Sequence, residues 1–102
     1  MRIRRLRISR SADRTIERLA DFIISQSSYG HALKYTSDLL NEIRELSFLA
    51  DAIKRSDLNE AKMCHADAKV LVTRNRKWSV IFHTDDYFVY VDKILPSSMI
   101  KG

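Results

Sequence analysis

The chain has 102 residues, enough for one hydrophobic core and too few for two. Apolar residues make up 45% of it, so a core can pack without staples; the lone cysteine, Cys64, excludes an internal disulfide and a cysteine-pair metal site. Lys and Arg number 18 against 13 acids, a net charge of +5, which suits a polyanion or an acidic protein as partner.

The charge is unevenly spread. Arginines at positions 2, 4, 5, 7, 10, 14 and 18 face only Asp13 and Glu17 in the same stretch, and Arg74, Arg76 and Lys77 form a second group. The basic start is not followed by an apolar leader core, because Arg5, Arg7, Arg10, Asp13 and Arg14 interrupt every stretch. No run approaches the roughly 20 apolar residues of a membrane span. The expectation is a cytoplasmic protein with no membrane contact.

Arg4 to Ile8 alternates Leu6 and Ile8 with Arg5 and Arg7, the period of a strand with one wet face. Ser9 or Ser11 can cap the helix that follows, and Asp13 sits in its first turn, where the helix dipole favours an acid. The spacing of Ala12, Ile16, Leu19, Ala20 and Ile23 predicts a first helix over Ala12 to Ser27. Gly30 marks either the end of that helix or the start of the next. Leu39, Leu40, Ile43, Leu46 and Ala50 give the stripe of a second helix over His31 to Ala50. So short a joint makes the two an antiparallel helical hairpin.

The period then changes. Asp51 to Asn59 is a polar connection, Ala61 to His65 reads as a short strand, and Lys69 to Thr73 as a stronger one. Asn75, Arg76 and Lys77 turn the chain into a strand over Trp78 to His83, with Trp78, Val80 and Phe82 on one face and Ser79, Ile81 and His83 on the other. Thr84, Asp85 and Asp86 turn it again into Tyr87 to Leu95, and Pro96 ends that strand. The expected fold class is α+β: an N-terminal strand, a helical hairpin, then a three- to four-stranded antiparallel meander, with the helices on one sheet face. Residues 1–96 form the domain and 97–102 a loose tail. The second sheet face is apolar and aromatic enough to suggest a partner.

No phosphate loop, nucleophile elbow or metal-binding spacing occurs, so neither a metal nor a cofactor is expected. Cys64 beside His65 reads as structural, because neighbours on a strand point to opposite faces. Asp85–Asp86 reads as turn chemistry, and His31 and His83 as surface or partner residues. What remains is a set of cations and hydroxyls: Lys54, Arg55, Lys62, His65, Lys69, Arg74, Arg76 and Lys77, with Tyr87 and Tyr90. A nuclease acting through the ribose 2′-OH needs a base, an acid and cations for the phosphorane, and these types supply them. The catalytic candidates are therefore Arg74, Arg76, Lys77 and His65. The candidates for touching a nucleic acid or other target are Lys54, Arg55, Lys62, Arg74, Arg76 and Lys77.

From Ile3 to Leu95 the order of elements resembles the RelE/ParE toxin superfamily. The residues that carry the resemblance are Ser11–Ala12, Ile16 to Ile23, Ala32, Tyr35, Leu39 to Ile43 and Leu46, then Trp78 to Phe82 with Asp85–Asp86, and Val89 to Leu95. The resemblance implies the toxin of a type II toxin–antitoxin, plasmid-stabilisation module. Its partner would be a cognate antitoxin, for which Arg2, Arg4, Arg5 and Arg7 are the binding candidates; a homodimer is compatible with it. RelE-like members cut message on the ribosome, as metal-independent endoribonucleases, and ParE-like members poison DNA gyrase. Where the RelE-like branch often has an Arg in the penultimate strand and a His or Tyr after the last, this chain has Ser79 and Pro96. That favours a ParE-like toxin acting by binding. The alternatives are a ribosome-dependent endonuclease with a rearranged site and a non-toxic nucleic-acid- or protein-binding module on the same fold.

Overall fold

The computed structural model describes residues 2–99. In chain order the elements are β1 (Arg5–Ile8), α1 (Arg10–Gln26), α2 (Tyr29–Leu49), α3 (Asn59–Cys64), β2 (Lys69–Val72), β3 (Trp78–Thr84) and β4 (Phe88–Pro96), with 3-10 turns at Ala50–Ala52 and Ser97–Met99. Ser9 takes the cap of α1, its hydroxyl accepting from the Ala12 amide at 3.0 Å. Ser28 caps α2 in the same way through the His31 amide, so α2 starts two residues earlier than expected and Gly30 lies in its first turn.

The sheet order is β1-β4-β3-β2. The last three strands form the expected antiparallel meander, and β1 adds to it as a fourth strand, parallel to β4, with Arg5 opposite Phe88 and Ile8 opposite Val91. The sheet is therefore mixed. Val80, Phe82, Val89, Val91 and Ile94 on its inner face bury against Ile16 of α1 and Leu39, Ile43 and Leu46 of α2. Burial at such positions stabilises by about 1.5–3 kcal/mol per large side chain, which is why the helices are fixed to this face.

Three expectations change. Ala61 to His65 is not a strand: Leu58, Ala61 and Cys64 recur every third residue, and Glu, Ala, Lys and Met between them favour a helix, so the segment forms α3. The second sheet face is not free, because α3 lies on it and Ala61 and Ala68 bury Ile81 completely. The expected loose tail is tied down as far as Met99: the Ser97 amide donates to the Lys77 carbonyl and its hydroxyl pairs with that of buried Ser79. Residues 100–102 lie outside the described residues.

β4 carries one irregularity. Phe82 pairs with Val91 while Ile81 pairs with Lys93, so Asp92 is an extra residue, a β-bulge. The Ser9 hydroxyl donates to the Asp92 carbonyl at 2.8 Å, and the Ser9 amide donates to the Val91 carbonyl at 2.9 Å. Ser9 thus joins the end of β1, the bulge of β4 and the start of α1.

Ser9→Ala removes the cap and the link to Asp92, and the expected loss is about 1–2 kcal/mol in urea unfolding. Ser9→Asp keeps an acceptor for Ala12 but has no proton for the Asp92 carbonyl. It should therefore recover helix capping without recovering full stability. Equal stability of Ser9→Asp and the parent would show that the Asp92 link contributes nothing.

Candidate functional site: a cationic groove and a ladder of rings

Strand β1 pairs with β4 only from Phe88 to Val91, so β4 from Lys93 to Pro96 has no strand on that side. A groove of about 740 Å³ follows this open edge between β4 and α1. Leu19, Phe22, Trp78, Ile94 and Leu95 give it apolar walls. Arg10, Arg14 and Arg18, spaced by four residues, lie along one line of α1 on its rim, with Lys93 opposite. None of these four cations forms an ion pair among the described residues. A second groove of about 540 Å³ shares Leu19, Phe22 and Trp78 and continues past His31, Lys34, Tyr35 and Lys77. Trp78 is held in place by its indole N–H, which donates to the Tyr35 hydroxyl at 3.0 Å.

On the opposite sheet face α3 leaves one strip uncovered. There the His65 and His83 rings stack in parallel at 4.0 Å, Tyr90 stacks on His83 at 4.8 Å, and Phe88 lies 5.7 Å from Tyr90. The Arg7 guanidinium caps the row, 4.5 Å above the Phe88 ring. Asp92 follows inward-facing Val91 and so lies on this face, where its carboxylate meets His83 Nδ1 at 2.6 Å. His65 Nδ1 accepts from the Asp67 amide at 3.0 Å, which fixes its ring. The Tyr90 hydroxyl donates to Asp85 at 2.7 Å, and the Tyr87 and Phe88 amides donate to the same carboxylate. These bonds, that of Tyr90 first, hold the Asp85 carboxyl below its ordinary value and push the Tyr90 phenol up. Burial pushes the Cys64 thiol up, consistent with a structural role.

The cations singled out in the sequence do not converge. Arg74 is held by Glu45 through two contacts of 2.8 and 2.9 Å and lies 3.9 Å from Glu42. Arg76 and Lys77 are exposed beside it, Arg76 with a left-handed φ of 60° in the β2–β3 turn. Lys54 is exposed, Arg55 pairs with Asp67 at 3.7 Å and Lys62 with Asp57 at 4.0 Å. His65 belongs to the ring ladder, which crosses β3 at His83, five residues and roughly 16 Å of strand from Trp78 and the Arg74–Lys77 turn. Among the antitoxin candidates, Arg2 is exposed and pairs with Asp86, while Arg5 and Arg7 are exposed on β1. Arg4 is different: it is buried, its Nε donates to the Asp85 carbonyl at 2.7 Å, and Nη1 meets Asp51 at 3.0 Å, which keeps the Asp51 carboxyl low. It serves the fold. Sequence reasoning did not select Arg10, Arg14 and Arg18 as a line, although their four-residue spacing was legible. It set His83 aside and did not select Asp92, because no local pattern shows which residues of two strands lie side by side.

No protein-family model matches the sequence, and no curated protein matches it. Among solved structures, a chain described as the chromosomal ParDE TA system from P. aeruginosa is similar in fold, with a TM-score of 0.74 at 17% identity, over 92% of this chain and 96% of that one. No helix among the described residues is long and apolar enough to cross a membrane.

The Asp85–Tyr90 bond has a defined pH signature. A depressed carboxyl contributes stability above its unfolded value and loses it as pH falls through the folded one. A raised phenol contributes below its unfolded value and loses it as pH rises through the folded one. Tyr90→Phe should therefore unfold at a lower temperature than the parent near neutrality. The gap should close below about pH 4 and again above about pH 10 in thermal scans. A gap that does not change with pH would mean that the hydrogen bond is not its source.

Proposed function

We propose that this chain is the toxin of a type II toxin–antitoxin module and that it acts by holding its target, in the manner of a ParE-like protein. The observation that carries the reading is the whole-length likeness of fold to a chain of a ParDE system. Two features of the surface support binding over cleavage. Arg74, Arg76, Lys77 and His65 form no common site, and Arg74 is already neutralised by Glu42 and Glu45. The other is the groove beside β4, where an acidic antitoxin segment would meet Arg10, Arg14, Arg18 and Lys93 over an apolar floor. A target such as gyrase would be bound by exposed side chains without chemistry on it.

A second reading is favoured by one observation, the His83–Asp92 pair stacked on His65. A carboxylate-oriented imidazole beside a second imidazole is a base and an acid within one ring spacing, two of the three functions that cleavage through a ribose 2′-OH needs. This reading makes the chain a metal-independent endoribonuclease acting on RNA or on ribosome-bound message. Its site is the ring ladder rather than the β2–β3 turn.

The two separate cleanly. Under the binding reading, induced expression arrests growth, co-expression of an adjacent acidic antitoxin relieves it, purified protein lowers gyrase supercoiling, and message stays intact with or without ribosomes. His83→Ala then still arrests growth. Under the cleavage reading, message is cut and His83→Ala lowers the rate by about 100-fold or more. Normal growth at high expression would overturn both.

A further inference from the structure

The six charged residues of α1 balance in number and are sorted in space. Arg10, Arg14 and Arg18 line the groove beside β4, whereas Asp13, Glu17 and Asp21 do not. Each of these acids stands three residues beyond one of the arginines, yet no ion pair joins them among the described residues. With Lys93 on the far side, the groove lining holds four cations and no carboxylate. Phe22 extends the arginine row by one more step of four residues; it is 62% exposed, and Trp78 lines the same groove. Successive members of such a row lie about 6 Å apart, and the row from Arg10 to Phe22 runs about 18 Å.

We propose that this groove binds a single strand of nucleic acid, with successive phosphates on Arg10, Arg14 and Arg18 and a base on the ring of Phe22. The strand would share the surface that the toxin reading gives to an antitoxin segment. Its binding is measured on the chain alone, so a failure there leaves that reading intact. The step of about 6 Å along the row is close to the separation of neighbouring phosphates in one strand. Guanidinium groups suit phosphates because their paired N–H groups meet two oxygens at once. Phe22 and Trp78 offer ring faces, on which any base can stack. An acidic peptide uses the cations and has no flat groups of its own to set against those rings. A single strand uses cations and rings together. A duplex turns its bases inward, so it gains from the arginines alone.

The fold has no use for this arrangement. Like charges four residues apart weaken a helix, and Arg10–Arg14 and Arg14–Arg18 are two such steps. α1 is fixed instead by Ala12 and Ile16, which bury on a different side of it, and by the Ser9 cap. Phe22 likewise stands outside the hydrophobic core. The groove is also distinct from the ring ladder on the other sheet face. There His65, His83 and Tyr90 already stack on one another and leave no gap for a base.

Fluorescence anisotropy of labelled oligothymidylate and oligouridylate of about ten nucleotides, titrated with the full chain, tests this. Binding is expected, and the ratio of the two affinities assigns the groove to DNA or to RNA. Affinity should fall with salt, with a log–log slope of about −2 to −3 for three or four phosphate contacts. Arg14→Ala should bring that slope about 0.7 closer to zero. Phe22→Ala should weaken binding about fivefold or more and leave the slope unchanged. Arg44→Ala removes an exposed arginine from outside both grooves and should change neither. All three positions are exposed, so the variants stay folded, which circular dichroism checks. No binding of either probe at about 50 mM salt overturns the proposal. So does a slope that Arg14→Ala leaves as it was, an affinity that Phe22→Ala leaves as it was, or a duplex of the same length bound as tightly as the single strand. A polyglutamate chain that binds through Arg14 while the oligonucleotides do not also overturns it and assigns the groove to acidic protein.

Discussion

The hydroxyl of Ser9 fixes three elements at once. It accepts from the Ala12 amide, donates to the Asp92 carbonyl, and stands where the backbone of β1 makes its last bond to β4. From this follow the direction in which α1 leaves the sheet, the length of β1 and the seat of the bulge. β1 stops at Ile8 because α1 begins, so the remaining half of β4 has no neighbour on that side and the cationic groove opens along it. The bulge that Ser9 clasps returns Ile94 to the inner face, while Asp92, next to inward-facing Val91, points to the other face and orients His83. One capping residue therefore touches both candidate surfaces: it ends β1 beside the groove, and its hydroxyl holds the backbone of the residue that orients His83.

The cations divide by what holds them. Arg4 is buried and bonded to the Asp85 carbonyl and to Asp51, clamping the start of β1 to the β3–β4 turn and to the 3-10 turn after α2. Removing it would unfasten both turns from the start of β1. Arg74 is spent on Glu42 and Glu45, tying the β2–β3 turn to α2. Arg55 and Lys62 sit in exposed pairs worth about 0–1 kcal/mol each, so they remain nearly as available as unpaired charges. Arg10, Arg14, Arg18 and Lys93 have no internal role visible in the structure, and they are the ones that line a groove.

The sequence made the fold legible where periodicity was long. Helical spacing placed both long helices to within a few residues, and alternation placed β3 and its inner face of Trp78, Val80 and Phe82. It failed where elements were short or relations were non-local. Six residues of α3 fit a strand pattern almost as well as a helical one, and only packing of Ala61 over Ile81 decides between them. The parallel joining of β1 to β4 links residues more than eighty positions apart, which no local pattern encodes. Arg4 reads like its neighbours Arg2, Arg5 and Arg7; its burial depends on the β3–β4 turn arriving beside it. The ring ladder was hidden for the same reason, since His65, His83 and Tyr90 come from three elements.

The division of surfaces by charge has a physical consequence for a protein of this size. The core under the hairpin is complete without Phe22, Tyr29 or Leu33, so leaving them exposed lowers solubility more than stability. The cationic groove draws an acidic partner, and Phe22 is part of its apolar wall. A highly acidic segment gains most from the arginine line, where each contact neutralises an unpaired charge.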